Sequence, residues 1–258
     1  MKYDLEKMYR RAIALREPWL KRWDEARRYT MPQSDNDIAT LFDATASDAA
    51  DNLAACMYSL LTPPESLWLN LVPESSESPN AEIATAALRS NLNDSNFYTT
   101  VHQCYMDLVT LGTACLFMAE SPIGSASAFS FTAIPMSDIA ILPNATFHTA
   151  SITLQDVMLR YPEWTPPREF RDKMKSNPDA TVRLVQALIG TDFAAWLDVG
   201  GNIENNIVSR GTFETNPYLI FRWTLASGEL YGTGPILRAL PDIKTANKVV
   251  ELVLKNAT

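Results

Sequence analysis

Histidine and cysteine are scarce in this chain, and their scarcity limits the chemistry that it can perform. Its 258 residues include two histidines, His102 and His148, and three cysteines, Cys56, Cys104 and Cys115. An odd number of cysteines without a Cys-x-x-Cys spacing argues against a disulfide framework or a zinc site and favours reduced thiols. A Cys–His nucleophile pair stays open because such pairing is spatial, but on a helix the spacing of His102 and Cys104 points them apart.

Long apolar runs and excess positive charge are also missing. No stretch approaches the roughly 18 apolar residues of a membrane span, and the charged residues 1–6 do not resemble a secretory signal. Acidic residues outnumber basic ones 30 to 22, a net charge of −8. We therefore do not expect the chain to bind nucleic acid non-specifically through its net charge. The apolar share of 47% is enough for packed cores in one large or two small domains.

The first half of the chain is predicted to be mainly helical. Apolar spacings of three and four predict helices over 4–29, 45–61, 81–92 and 97–111. Pro18 should kink or split the first helix, and Gly112 should cap the last. Residues 33–42 look like a polar loop, and 68–72 alternate like a strand.

The helix over 45–61 is rich in alanine, which indicates close approach of a neighbouring element. Two alternatives are open: its stripe packs in the chain's own core, or it contacts another subunit. The residues of the stripe singled out as subunit contacts are Ala46, Ala50, Leu53 and Met57.

The second half alternates short strands with turns. Strand patterns occur at 115–118, 129–133, 139–142, 147–152 and 218–224, and short helices at 154–161 and 168–175. Residues 181–189 fit a helix or a strand. Residues 193–199 and 203–208 predict a hairpin that turns at 200–202.

The C-terminal stretch carries most of the information. Gly232 and Gly234 are predicted to be structural turn glycines; they lack the spacing of a phosphate-binding loop. We expect a helix to begin at Asp242. Its apolar stripe (Ile243, Ala246, Val250, Val253) should pack on protein, and its charged stripe (Lys244, Lys248, Glu251, Lys255) should lie opposite.

A series of short motifs at the end of the chain comprises residues 231–235 (Tyr-Gly-Thr-Gly-Pro) and 240–245 (Leu-Pro-Asp-Ile-Lys-Thr) with Asn247. These motifs resemble the signature of the head-to-tail connecting proteins, the portals of short-tailed phages. Further matches follow in order: Arg16-x-Pro18, Trp23-x-Glu25-Ala26, Tyr29-x-x-Pro32, residues 42–46, Leu53-Ala54, residues 61–64 with Trp68, residues 112–114, Ile134-Pro135, and Pro217-Tyr218 with Arg222-Trp223. Members of the family are roughly twice this length or more, so we expect an N-terminal portion of a portal.

The resemblance implies an α+β, portal-like fold. Residues 1–120 would be a mainly helical part and 121–235 a β-rich part of a wing-like domain with short antiparallel strands. Residues 236–258 would begin a long, stem-like C-terminal helix.

It also implies a structural role without catalysis or cofactor. Subunits would form a homo-oligomeric ring, a dodecamer in this family, at a capsid vertex of the virion after assembly in the host cytoplasm. Double-stranded DNA would pass through the channel, where Lys244, Lys248 and Lys255 are the candidate contacts. Terminase, capsid or scaffolding proteins and tail adaptors would be the partners, with no membrane involved. An adaptor or scaffold protein without a DNA conduit and, less favoured, a hydrolase are the alternatives.

Overall fold

The computed structural model describes residues 4–73, 80–177, 179–199 and 203–257. Helices and antiparallel strands mix along the chain, and a long helix lies near its end, which confirms the predicted α+β class. The helices are α1 (Leu5–Thr30), α2 (Asp35–Thr40), α3 (Thr45–Leu61), α4 (Ala81–Asp94), α5 (Phe97–Leu111), α6 (Leu154–Arg160), α7 (Arg168–Ser176) and α8 (Pro235–Ala257). The strands are β1 (Thr113–Glu120), β2 (Phe129–Ile134), β3 (Ile139–Leu142), β4 (Ala145–Thr153), β5 (Thr181–Ile189), β6 (Asp192–Leu197), β7 (Ile207–Thr212) and β8 (Tyr218–Arg222).

The chain divides into two compact units that are each discontinuous in sequence. Unit 1 comprises Met1–Pro18 and Ser137–Pro217, and unit 2 comprises Trp19–Met136 and Tyr218–Thr258. Helix α1 contributes its first part to unit 1 and its second to unit 2. Pro18 does not split this helix. Proline removes only the hydrogen bond to the carbonyl of Ala14, and Ala14 is exposed, so water can satisfy that group.

Unit 1 is built on a five-stranded antiparallel sheet in the order β3-β4-β5-β6-β7. One face packs Phe147, Val185 and Trp196 in a cluster with Leu5 and Ala12 of α1. The other face holds a second cluster: Leu154, Val157, Phe170, Val182, Leu184, Ala195, Leu197 and Val208. Strand β5 is therefore buried on both faces. A strand covered on both faces loses the alternation of apolar and polar residues, which is why 181–189 was ambiguous in sequence.

Unit 2 packs helices on a three-stranded antiparallel sheet in the order β2-β1-β8. Helix α5 is its centre: it contacts α3, α4, α8 and both β1 and β2. Gly112 ends α5 in the left-handed region, with φ +79°, and its N–H donates to Leu108 O at 3.0 Å. The predicted glycine cap is thus confirmed.

The sequence interpretation of residues 33–42 as a loop was wrong. Helix α2 lies there, and the Ser34 side chain caps it by accepting a hydrogen bond from the N–H of Asp37 at 3.1 Å. No residue of α2 is buried. Without a buried face, a helix has no apolar periodicity for a sequence pattern to reveal.

The strand predicted at 68–72 is also absent, because residues 67–73 form no strand within the described chain. Trp68 instead stacks on Phe97, with 5.8 Å between ring centroids and an interplanar angle of 8°. Local alternation can be read from sequence, but a strand needs a second strand to pair with.

The predicted pairing of the two hairpin strands was right, but the predicted start of the second strand was wrong. Strands β6 and β7 pair antiparallel, but residues Ile203–Asn206 form a 3-10 turn before β7 begins. The predicted turn at 200–202 lies outside the described residues.

The predicted helix start at Asp242 was wrong, because α8 begins at Pro235. Proline suits the first helical position, where its missing N–H has no partner to lose. Pro241 lies inside the helix. A proline inside a helix usually signals an end, and this misled the sequence interpretation.

Candidate functional site

Three glycines bring two chain segments together at the start of α8 in unit 2. Gly232 donates its N–H to Thr113 Oγ1 at 2.7 Å, and Trp223 donates to Gly112 O at 3.0 Å. A Cβ built on Gly234 would lie 2.6 Å from Val109 O and 2.8 Å from Leu108 O. Non-bonded Cβ atoms essentially never lie this close to an oxygen, so the backbone of residues 232–234 lies directly on the C-terminal end of α5. We call Gly112, Gly232 and Gly234 the glycine junction.

The reason for glycine differs within the junction. Gly112 has a positive φ, whereas Gly232 and Gly234 do not. A Cβ on Gly232 would clash with Gly112 O. Gly232 and Gly234 therefore act through close backbone approach rather than through left-handed conformation.

Aromatic side chains pack beside the junction. Tyr231 is almost completely buried. Its ring lies 5.8 Å from that of Trp19 and 5.2 Å from that of Trp23, measured between centroids. Each ring is tilted or edge-on to its neighbour, the geometry that aromatic pairs favour. The junction is thus fixed on α1 as well as on α5.

Asn247 ties α8 to the segment that joins α2 and α3. Its Oδ1 accepts hydrogen bonds from the N–H groups of Phe42 at 2.7 Å and Asp43 at 3.1 Å. Its Nδ2 donates to Thr40 O at 3.1 Å, and the residue is buried. One side chain therefore satisfies three main-chain groups, which fixes the position of this loop against the helix.

The three candidate lysines all have carboxylate partners within the chain. Lys244 pairs with Glu25 of α1. Lys248 and Lys255 both bind Glu251, with Nζ–O distances of 2.8 and 2.6 Å. These hydrogen bonds lower the pKa of Glu251. The lysine ammonium groups remain partly exposed, so their charge is balanced but still accessible to solvent.

The apolar stripe of α8 is only partly covered in the single chain. Ile243 and Val250 are half-buried, whereas Ala246 is exposed and Val253 is 61% exposed. Val249, Leu252 and Leu254 are also exposed. A run of exposed apolar side chains on one helix is typical of a surface that another protein covers.

The candidate contact residues of α3 divide into two groups. Ala46 and Ala50 are buried in the chain's own core, where α3 packs mainly on α5. Leu53 and Met57 are half-buried. The two alanines therefore occupy the intrachain core, which was one of the two interpretations of the stripe.

Two cysteines are buried, and the two histidines contact other side chains in the described chain. Burial raises the pKa of both Cys104 and Cys115 to about 12, so both thiols are protonated at neutral pH. The ring of His102 lies edge-on to Tyr58, 5.7 Å between centroids. His148 hydrogen-bonds Gln186 Oε1 through Nδ1 at 3.1 Å in unit 1. Among the described residues, no cluster of three or more His, Cys, Asp or Glu could hold a metal ion.

Arg16, a residue of the motif series, has a role that sequence reasoning did not assign. It is buried beside a cleft of about 610 Å³ in unit 1. Its Nη1 donates to Ser137 O at 2.5 Å. Arg16 thereby fixes the chain that leads into β3.

Comparison with known families decides the class of protein. The family model described as bacteriophage head to tail connecting protein matches residues 2–258. The chain belongs to this family of phage connectors. No curated protein sequence matches the chain at a significant level.

Membership gives the connector a structural role in the phage particle, in association with head and tail. The glycine junction, Asn247 and Arg16 all lie in motifs that carry the resemblance. In the part of the connector that the structure describes, no helix is both long enough and apolar enough to cross a membrane.

Proposed function

We propose that this connector is a portal subunit: copies close into a ring at one capsid vertex, and DNA passes through its centre. The ring would receive DNA during packaging, release it during ejection, and dock terminase, capsid or scaffolding proteins and tail adaptors. Assembly would take place in the host cytoplasm. The observation that carries this proposal is the family match over residues 2–258.

The uncovered apolar surface of α8 supports subunit assembly. Val249, Leu252, Val253 and Leu254 are each about half exposed or more. Covering them with a neighbour would remove apolar area from water, the main driving force of association. Identical subunits joined through two different surfaces close into a ring when the rotation between them fits. The family resemblance sets the expectation at twelve subunits.

The charge distribution supports a conduit through which DNA slides. The chain carries a net charge of −8, and many unpaired lysines would hold phosphates in place. We propose that Lys244, Lys248 and Lys255 face the channel. Phosphates would compete there with Glu25 and Glu251 for the ammonium groups, so each contact would be weak and short-lived.

We propose no covalent chemistry for the subunit. In the described residues the buried thiols are protonated, and the histidine contacts described above are with Tyr58 and Gln186. ATP turnover by the purified connector, abolished by a point substitution in this chain, would contradict this part of the proposal.

The test is the assembly state of the full-length protein from the phage. Negative-stain images and native mass spectrometry should show a narrow high-order oligomer with a central hole. A strictly monomeric protein at micromolar concentration would overturn the proposal. Particles of defined size without a hole would favour an adaptor or scaffold.

A further inference from the structure

Residues 67–73 of unit 2 form an open segment whose sequence favours a strand. The segment contains no turn, bend, helix or strand, although Trp-Leu-Asn-Leu-Val at 68–72 is typical of strands. It carries no charged residue. Val72 is 82% exposed, and Leu67 and Leu71 are exposed as well. The segment is therefore apolar, uncharged and accessible.

Hydrogen bonds hold this segment in place at two of its main-chain N–H groups and at the side chain of Trp68. The N–H of Trp68 donates to Ser66 O at 3.1 Å. The N–H of Leu71 donates to Thr85 Oγ1 at 3.0 Å, and Trp68 Nε1 donates to Tyr98 OH at 3.4 Å. Among the described residues, nothing accepts a hydrogen bond from the main-chain N–H of Asn70 or Val72. A strand-forming segment with free N–H groups is suited to pair with another strand.

Strand β8 offers a free edge in the same unit. It pairs with β1 on one side, and no described strand pairs with its other side. Trp223 donates to Gly112 O, continuing the register in which Phe221 lies opposite Ala114. Main-chain groups alternate in direction along a strand, so those of Ile220 and Arg222 point to the free edge.

The free edge of β8 lacks the residues that usually protect an edge strand. Lysine and inward charges prevent unwanted pairing at sheet edges. Here Leu219 is 45% exposed, and the one charged side chain, Arg222, turns away to donate from Nε to Leu230 O at 2.7 Å. The edge is apolar along β8. The chain covers it only just beyond Arg222, where Thr233 donates to Thr224 O at 2.8 Å.

We propose that residues 68–72 of one subunit add as a strand to the free edge of β8 in the next subunit. The segment and β8 are both five residues long. The free N–H groups at 70 and 72 have the same two-residue spacing as the outward-pointing groups at 220 and 222. In the pairing, main-chain N–H groups of each strand donate to carbonyls of the other, and uncharged surface is buried on both strands.

This pairing joins two different surfaces of the same chain. Each copy offers one segment and one edge, so contacts propagate head to tail and can close into a ring. The inference rests on the proposed ring and specifies the contact that builds it. It goes beyond the exposed face of α8, which is a separate surface of the same unit.

Disulfide trapping in the full-length connector tests the pairing. In a Cys56→Ser background, Asn70→Cys or Val72→Cys is combined with Ile220→Cys and oxidised gently. One of the two combinations should give a ladder of covalent oligomers on a non-reducing gel, lost on reduction. The matched control, Ile83→Cys with Ile220→Cys, places an exposed cysteine on α4 and should give no ladder.

The outcomes separate this inference from the proposed function. Rings in electron micrographs without a ladder from either combination would overturn the strand pairing and leave the ring intact. A ladder without closed rings would support the pairing and count against the ring. The absence of both rings and a ladder would overturn the strand pairing and the proposed ring. Covalent dimers from a single-cysteine variant would show a symmetric contact and contradict the head-to-tail pairing.

A proline substitution tests the main-chain hydrogen bonds. Val72→Pro removes an N–H that no described residue accepts, so the unfolding of the isolated subunit should be unchanged. The protein concentration at which half of the subunits are assembled should rise tenfold or more. Val72→Ala, which keeps the N–H, should assemble nearly as the parent does. Equal assembly of Val72→Pro and Val72→Ala would overturn the inference.

Discussion

Gly112 and Gly234 lie so close that a Cβ on either residue would meet the main chain of the other. A Cβ on Gly112 would clash with Gly234 N, and one on Gly234 would lie 2.9 Å from Gly112 N. The end of α5 and the start of α8 thus depend on two glycines separated by more than a hundred residues. This contact fixes the start of α8 against the end of α5 within unit 2.

Substitution at the junction should therefore destabilise the connector strongly. Gly234→Val must displace the main chain of α5, and we expect the free energy of unfolding to fall by about 3 kcal/mol or more. Denaturant unfolding measures the loss. Gly211→Val is the control, because nothing lies within 4 Å of a Cβ there, and it should change stability by about 0.5 kcal/mol or less. Equal melting of Gly234→Val and the parent would show that the close approach is not required.

Asn247→Ala should also destabilise unit 2, because it removes three hydrogen bonds. The N–H groups of Phe42 and Asp43 and the carbonyl of Thr40 would lose their partner. We expect a loss of about 2–4 kcal/mol in the free energy of unfolding. Asn256→Ala, at an exposed position of the same helix, is the control. Hydrogen exchange should show faster exchange at residues 42 and 43 in Asn247→Ala, and unchanged exchange would contradict the assigned role.

Charge reversal of the lysines tests their proposed place in the channel. The triple variant Lys244→Glu, Lys248→Glu, Lys255→Glu should fold and assemble but reduce the amount of packaged or retained DNA in phage particles. Lys21→Glu, at an exposed position of α1, should package normally. Normal genomes in the triple variant would show that the stripe only faces solvent. Loss of assembly would place these lysines at a subunit contact instead.

Thiol reactivity should distinguish the three cysteines. Cys56 is exposed, whereas Cys104 and Cys115 are buried with pKa values raised to about 12. The thiolate is the reactive form. An aromatic disulfide reagent at pH 8 should titrate about one thiol in the native protein and all three in denaturant. Rapid reaction of any thiol in a native Cys56→Ser variant would contradict the burial of Cys104 and Cys115.

The stability of unit 1 should depend on pH through His148. Burial lowers the pKa of His148 below its ordinary value of 6.5, against the opposing effect of the Gln186 hydrogen bond. Below pH 6.5 the unfolded chain therefore binds more protons than the folded one, and stability decreases as the pH falls until the folded pKa is passed. Unfolding curves should show this slope, at most about 1.4 kcal/mol per pH unit. His148→Gln should lose it, and His102→Gln should keep it. An unchanged slope in His148→Gln would contradict the assignment.

The sequence was sufficient for the family, the α+β class and most helices. Helices such as α3 and α5 bury one stripe of residues that recur every three or four positions, and this periodicity is a local property of the chain. Gly112 could be assigned as a helix cap for the same reason. The order of the motifs, from Arg16-x-Pro18 to Asn247, was enough to indicate the connector family.

Only the tertiary structure decided which distant residues meet. The contact of Gly112 with Gly232 and Gly234, and the hydrogen bonds of Asn247 to residues 40–43, join segments more than a hundred residues apart, and no local pattern encodes such a distance. Strand pairing is equally non-local. Residues 68–72 have the alternation of a strand but no partner strand among the described residues. Strand β5 lacks alternation because both of its faces are buried. Local periodicity reports which face of an element is covered, whereas the covering element itself is selected by packing and hydrogen bonding across the whole chain.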